Sequence, residues 1–487
     1  MSRPHAPVGY LEANAAAGPD RAAVVDAGRT VTFAELRDRV HAAAAALRER
    51  GVVAGDVVAV SLPNVWEHVA LELAIPLLGA VVMPLPLNLG SAERAWALER
   101  SGARLVVEPA EAEALCAAPF RGRLEEPPAD PGRVVEIALT SGTTGLPKLA
   151  SLHAGLKQAT FEAFTSRLQV VPDDRVLIIA PLMQGIGGMC LYCLRLGAAL
   201  VMLREPRFSP EHTLRVAAET HATLLVGVPT NVIRMLDSPA LAGADLSAAR
   251  CTAVAGAPMP PDVARAWEER TGSRVCIFYG SMDGGQLSVG SPADPAEKRW
   301  TTVGRVHDCN EAMVTAEGEI CMRGPTVQER YWGEDRGPYA GDGWVHMGDL
   351  GFLDEDGYLH VSGRLKDLVI RGGTNVNPYE VENALRSCPG VVDACVVGRP
   401  DRELGERVHA FVVARRPVGL GELRAHLDGL GMARYKWPES ADRLDELPLS
   451  GPGKVDRRSL RERAAHFPPP VPFSPPPVGE GQGGGTR

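Results

Sequence analysis

Short runs of β-branched residues alternate along this chain with segments whose apolar residues recur at helical spacing, and that alternation closes off most folds. Residues 57–62 read as a strand, 66–78 as an apolar helix and 80–83 as a strand again, and the pattern continues through runs at 104–107, 176–179, 223–228 and 250–254. Enough chain separates these runs to hold a helix. Strands joined by helical crossovers pair in parallel, so the pattern predicts largely parallel sheets covered by helices. Ahead of them, Thr32 and Glu35 stand at capping-box spacing, and Phe33, Leu36, Val40, Ala44 and Leu47 follow one helical face until Gly51.

Beyond about residue 304 the texture changes to short β-like pieces at 319–322, 358–361 and 368–370 between glycine-rich turns, which predicts a sheet with antiparallel pairing. A compact α+β pattern restarts near Arg364-Leu-Lys-Asp367: a helix over 378–387, strands at 394–397 and 410–413, and a helix over 420–430. A chain of 487 residues is too long for one core. The expected fold class is α/β: a large N-terminal αβ body with a β-subdomain over 1–363 and a small α+β domain over 364–466. The tail 467–487 is dense in proline and glycine and is expected to be disordered.

A net charge of −9, with no basic run among interleaved aromatics, opposes capture of a phosphate backbone, so nucleic acid is not an expected partner. The longest apolar run, 73–87, is broken by Pro76, Pro84 and Pro86 and falls short of the ~20 residues a spanning helix needs. No membrane insertion and a cytoplasmic location are expected. The nine cysteines lack the spacing of a disulfide framework or zinc knuckles, and Cys190 and Cys193 read as two core residues on one helix face.

The densest chemistry lies in Thr140-Ser141-Gly142-Thr143-Thr144-Gly145-Leu146-Pro147-Lys148, which follows a strand-like run at 134–139. Its glycines free backbone N–H groups to approach an anion, its four hydroxyls add donors, and Lys148 adds charge: together a phosphate cradle. A Walker A loop does not fit it.

At these residues the sequence resembles the adenylate-forming superfamily of acyl-CoA synthetases, nonribosomal-peptide adenylation domains and beetle luciferases, and the resemblance recurs in order along nearly the whole chain. Gly256-Ala257-Pro258 and Tyr279-Gly280-Ser281-Met282-Asp283 are similar to the family's adenine-binding segments, which implies that Tyr279 stacks on the base and Asp283 reaches a metal. Asp349, in Trp344-Val-His-Met-Gly-Asp349, resembles the aspartate that binds both ribose hydroxyls, with Arg364 donating from the other side. Lys366 resembles the interdomain hinge, the loop 372–378 the segment lining a thiol tunnel, and Lys454 the catalytic lysine of the C-terminal lid. The family likeness implies ATP and Mg²⁺, catalytic roles for Lys454, Lys148 and Thr144, and a mobile lid that serves two half-reactions in turn.

Departures from the family pattern bear on the substrate. Met282-Asp283 stands where a Thr-Glu pair is usual, which shortens the metal-binding side chain by one methylene. Gln184 replaces a common His or aromatic residue, and Gly185 stands where α-amino-acid activators carry aspartate. Lys148-Leu149 and Asn310-Glu311 look closest to the aryl-acid branch. The implied pocket wall, with Gly185, Gly188, Val228, Gly284 and Leu287, is apolar and small, suited to a flat ring or a compact acyl group. The same glycines also read as tight backbone turns.

The expected activity is therefore ATP-dependent conversion of a small carboxylic acid to an acyl-adenylate, then transfer to the pantetheine thiol of an acyl carrier protein, in the manner of secondary metabolism. Free CoA as acceptor is the alternative, and a catalytically silent nucleotide-binding protein a minor one.

Overall fold

The alternation of strands and helices resolves into two mainly parallel sheets that share one apolar core. The computed structural model describes residues 8–120, 122–140, 148–183, 185–204, 207–282, 284–451 and 454–466, with backbone alone at 450, 451 and 454. The tail expected to be disordered lies outside these residues.

The larger sheet runs in the order Arg305–Val306, Gly285–Val289, Arg274–Ser281, Cys251–Val254, Leu224–Gly227, Arg175–Ile178, Ala199–Met202, Ala22–Asp26 and Arg29–Thr32. From Arg274–Ser281 to Ala22–Asp26 every pairing is parallel, and antiparallel strands close both edges. The second sheet, in the order Ala103–Val107, Val57–Val60, Val81–Pro84, Val134–Thr140 and Lys148–His153, is parallel until its last strand. Helices Phe33–Glu49 and Trp66–Leu77 bury Leu36, Leu47, Leu71 and Ile75 in a core that also takes Val58 and Val82 from one sheet and Val176 and Ile178 from the other. The first of these helices starts as its spacing predicts, with Thr32 Oγ1 accepting from the Glu35 N–H at 3.1 Å.

A third, antiparallel sheet of Glu311–Val314, Glu319–Arg323, Val345–Leu353 and Leu359–Arg364 encloses Leu287, Ile320, Met322, Val327, Val345 and Leu359. The change between the chain's two compact units falls at Ser362 and Gly363. The second unit is a sheet in the order Thr374–Val376, Val369–Arg371, Gly405–Ala414 and Val391–Asp401, with Ser440–Leu444 added parallel to Gly405–Ala414. Helices Pro378–Arg386 and Leu420–Gly429 bury Val381, Leu385, Leu423 and Leu427 against it. The strand Val391–Asp401 outruns the expected 394–397 because it pairs with Gly405–Ala414 along its whole length, beyond the apolar stretch a sequence pattern can register. Helix Arg457–Ala465, capped by Asp456 accepting from the Ser459 N–H, follows, an element the sequence pattern did not register. Among the described residues no helix is long and apolar enough to cross a membrane. Cys190 and Cys193 are fully buried on a short 3₁₀ helix, and burial pushes both thiols up, away from the thiolate that redox or metal chemistry needs.

Gly285 joins the large sheet to the third. Its φ of +76° is left-handed, and a Cβ there would lie 2.0 Å from the Thr326 carbonyl oxygen. Strain at the backbone and overpacking add, so Gly285→Ala should lower unfolding free energy by roughly 2–5 kcal/mol. Chemical denaturation would check this, and a loss under about 1 kcal/mol would show that the two segments part easily.

Candidate active site

The hairpin that carries the glycine-rich segment has both of its ends fixed. Strand Val134–Thr140 lies parallel to Val81–Pro84, then pairs antiparallel with Lys148–His153, with Thr140 opposite Lys148. Residues 141–147 span the tip, so Ser141, Gly142, Thr143, Thr144 and Gly145 lie outside the described residues. Thr140 is buried and its Oγ1 has no hydrogen-bond partner among the described residues, a state that costs roughly 1–3 kcal/mol unless a ligand or water completes it. Lys148 Nζ donates to Tyr331 Oη at 3.1 Å. Tyr331 is held there by the backbone: Trp332 N–H donates to the Leu149 carbonyl at 2.7 Å, Ser151 N–H to the Arg330 carbonyl at 3.3 Å, and Ala150 bridges Tyr331. Sequence reasoning missed Tyr331, since no local pattern marks a segment that pairs with a strand so distant along the chain.

Sheet order collects the other candidates. Four neighbouring parallel strands, Arg175–Ile178, Leu224–Gly227, Cys251–Val254 and Arg274–Ser281, end on the same edge, the place where open α/β sheets bind ligands. Past the first three ends come Gly185 and Gly188, then Val228, then Gly256-Ala257-Pro258, and Tyr279-Gly280-Ser281 forms the last residues of the fourth strand, followed by Met282. Asn64 shapes the first of these connections, accepting from the Leu182 N–H at 2.8 Å and donating to the Ala180 carbonyl at 2.9 Å. Of the pocket-wall glycines, Gly185 takes a φ of +43°, a left-handed turn conformation, and Gly256 in the next segment but one takes +86°. Gln184 and Asp283 lie outside the described residues.

Tyr279 reaches across to the third sheet. Its Oη donates to Asp349 Oδ2 at 2.8 Å, and Asp349 is itself buried on strand Val345–Leu353. Half-buried, Tyr279 packs on the cluster around Leu287 and Val345. Ser281 Oγ accepts from the Gly284 N–H at 2.7 Å, and a Cβ on Gly284 would come 2.5 Å from Met347 Sδ, so that glycine admits the methionine. Leu287 corrects the expected pocket wall: it is completely buried in the core of the third sheet, which leaves no surface for a substrate. Asp349 belongs to the first unit and Arg364 to the second. Lys366 lies in the short 3₁₀ turn Leu365–Asp367, whose Asp367 accepts from Arg461 at 3.0 Å. Lys454 begins the short strand Lys454–Val455, and its side chain lies outside the described residues.

A second polar group sits on the third sheet. Glu319, Cys321 and His346 each offer one metal-ligand atom within 4.8 Å of the others. Both imidazole nitrogens already face carboxylates, Nδ1 with Glu319 at 2.9 Å and Nε2 with Asp342 at 3.0 Å. Those hydrogen bonds raise the His346 pKa, so both nitrogens are engaged as N–H donors rather than as metal ligands when the ring is charged.

His307, whose N–H donates to the Leu287 carbonyl at 3.0 Å, has its pKa lowered to about 4, first by burial and then by the charge of Arg167. Imidazole in an unfolded chain titrates near ~6.5, so the unfolded state takes up the proton first as pH falls. The stability tied to this neutral ring is complete above that pH and is lost between it and about 4, a change of up to roughly 3 kcal/mol. Urea denaturation from pH 7 to pH 4 should show that loss, and His307→Leu should flatten it; parallel pH curves for the two proteins would assign the acid sensitivity elsewhere.

The chain matches the AMP-binding enzyme family over residues 11–332 and the AMP-binding enzyme C-terminal domain over 380–454. A methyl-dioxo-octahydro-indenyl propanoyl:CoA ligase of Mycobacterium tuberculosis is 35% identical, the alignment covering 91% of this chain and 96% of that protein. Feruloyl-CoA synthase of Amycolatopsis sp is also 35% identical, with the same 91% and 96% coverage. The solved structure of o-succinylbenzoate CoA synthetase from Bacillus subtilis, in complex with its acyl-adenylate intermediate, is similar with a TM-score of 0.81 and 28% identity over 95% of this chain and 98% of its own.

Proposed function

Because the chain belongs to the AMP-binding enzyme family, the adenylate-forming ligases, we propose that it joins a small ring-bearing carboxylic acid to AMP from ATP, releases pyrophosphate, and passes the acyl group to free CoA. The contact between Tyr279 and Asp349 carries this reading, because it sets a half-exposed aromatic face beside a buried carboxylate. A ring face of that kind can stack on a base. A carboxylate has more acceptor sites than one phenol uses, so Asp349 can also take the paired hydroxyls of a ribose.

Thr140 and Lys148, paired at the mouth of the hairpin, support a phosphate cradle in which the unpartnered hydroxyl and the ammonium flank the remaining donors of 141–147. Ammonium and N–H groups fixed there stabilise the charge that builds on the α-phosphate as the substrate carboxylate attacks and pyrophosphate leaves. Tyr331 positions Lys148 for this work. Lys454, a point charge on a flexible stem, is assigned to the same transition state, bridging the attacking carboxylate and the α-phosphate. Mg²⁺, when bound, would neutralise the triphosphate. Asp283, the residue expected to hold it, lies outside the described residues, and every step above stands without the ion.

The carrier-protein acceptor expected from the sequence gives way to CoA. The relatives at 35% identity along nearly the whole chain are a CoA ligase and a CoA synthase. Their names also carry ring-bearing acyl groups, in keeping with the small residues Gly185, Gly188 and Val228 beyond the strand ends. Arg364, Lys366 and the turn at Gly372 and Gly373 are assigned, as the resemblance implies, to a lid that turns between adenylation and thiol transfer.

Lys454→Ala should lower acid-dependent pyrophosphate exchange by about 10²–10³-fold or more, the usual loss when a transition-state donor is removed, while thiol transfer from a preformed acyl-adenylate largely survives. Equal losses in both half-reactions would contradict the assigned role. Offered both acceptors with one acyl-adenylate, the enzyme should acylate CoA with kcat/KM at least about tenfold above that for a phosphopantetheinylated carrier protein, a gap of ~1.4 kcal/mol. The reverse order would restore the carrier protein.

A further inference from the structure

The side chain of Gln286 is buried, with 5% of its surface exposed, yet neither its Nε2 nor its Oε1 has a hydrogen-bond partner. Burying both ends of an amide unpaired is costly, and such groups call for a water or a ligand. Backbone movement cannot relieve it, because the Gln286 carbonyl already accepts from Asn310 Nδ2 at 2.7 Å and from Thr326 Oγ1 at 2.8 Å. Two more unpartnered buried groups hang from segments tied to this strand. Gln328 lies two residues past Thr326 with both amide atoms unpaired, and His307, whose Nε2 is unpaired, is bonded to Leu287.

Gln286 is also close to the proposed chemistry. It is the cross-strand partner of Gly280, and its Cα lies 2.9 Å from where a Cβ on Gly280 would stand. Gly280 follows Tyr279, the residue assigned to the nucleotide, so Gln286 stands on the strand next to the proposed nucleotide site. Along strand Gly285–Val289 successive side chains face opposite sides, so with Leu287 committed to the core of the third sheet, Gln286 faces away from that core.

We propose that Gln286 recognises an uncharged oxygen, a hydroxyl or a carbonyl, on the acid at a distance from its carboxylate. The inference rests on the ligase reading and names its substrate class. A neutral amide offers two N–H donors and a carbonyl acceptor, so it pairs with a hydroxyl or a ketone and gives a bare hydrocarbon ring nothing. A site built to bond a substrate oxygen rejects the analogue without it, because its own buried groups are then left unpaired.

Two matched pairs of acids test this in pyrophosphate exchange: 3-phenylpropanoate against 3-(4-hydroxyphenyl)propanoate, and 3-cyclohexylpropanoate against 3-(4-oxocyclohexyl)propanoate. The wild-type enzyme should prefer the oxygenated member of each pair at least about tenfold in kcat/KM, and Gln286→Leu should cut both preferences about tenfold. Gln286→Glu separates the two groups: a carboxylate still accepts from the hydroxyl but cannot donate to the ketone, so only the first preference should survive. Preferences unchanged in Gln286→Leu, or both members of a pair falling equally, would overturn the assignment and leave the amide to a buried water. Melting of the free enzyme gives a readout that needs no substrate. Gln286→Leu removes an unpaired buried amide and should raise the melting temperature by about 2 °C or more, whereas a fall would show that the amide is already paired and overturn the proposal. Absence of exchange with all four acids would count against the ligase reading for ring-bearing acids, and the melting shift alone would then decide the amide.

Discussion

One buried side-chain amide holds the two sheets of the site together. Asn310 Nδ2 donates to the Gln286 carbonyl at 2.7 Å and to the Thr326 hydroxyl at 2.9 Å, and Thr326 in turn bonds the same carbonyl. The strand returning from Tyr279 is thereby fastened to the loop that follows Glu319–Arg323 in the third sheet. Gly285 lets the two backbones come this close, and the bonds hold them there. In a low-dielectric interior such a network strengthens when complete and becomes costly when one member is lost, so it behaves as a unit.

The clasp works with the backbone bonds of Val303 and Gly304 to Leu359 in setting the spacing at which Tyr279 and Asp349 meet. One ends a strand of the nine-stranded sheet and the other lies within a strand of the four-stranded sheet, so no helix or hairpin positions the pair locally. The same logic runs through the hairpin at Thr140 and Lys148, where the lysine is placed by a phenol from the segment 330–332. Two groups of the candidate site are thus held by contacts from far along the chain, Tyr279 by Asp349 and Lys148 by Tyr331. That arrangement puts strands under Thr140, Lys148, Tyr279 and Asp349.

Legibility in the sequence followed the range of the interactions. The parallel body was legible because apolar period and crossover length are local quantities, and the Thr32 cap because its partner is three residues away. The strand ends at 256–258 and 279–282 were legible as motifs. Tyr331 was not, because what makes it matter is pairing with Ala150 and Leu149 from far along the chain. Leu287 was misread: it looked like an apolar wall, and strand alternation makes it core and sets Gln286 on the other side of the strand. Composition cannot assign a face where the register of a bulged strand pair decides it, and the register shifts between Tyr279 and Gly280.

The long-range pairing beside the hairpin also orders events during synthesis. The outer strand Lys148–His153 remains a bare edge until residues 330–332 emerge to cover it, and Lys148 has no phenol to lean on until then. A nascent chain of some 200 residues therefore carries Lys148–His153 as an open strand edge, the kind of surface that recruits stray strands from other chains. Closure of so wide a loop is slow compared with forming the helices around it. That hairpin is thus an early part of the candidate site to be made and among the last to be set in place.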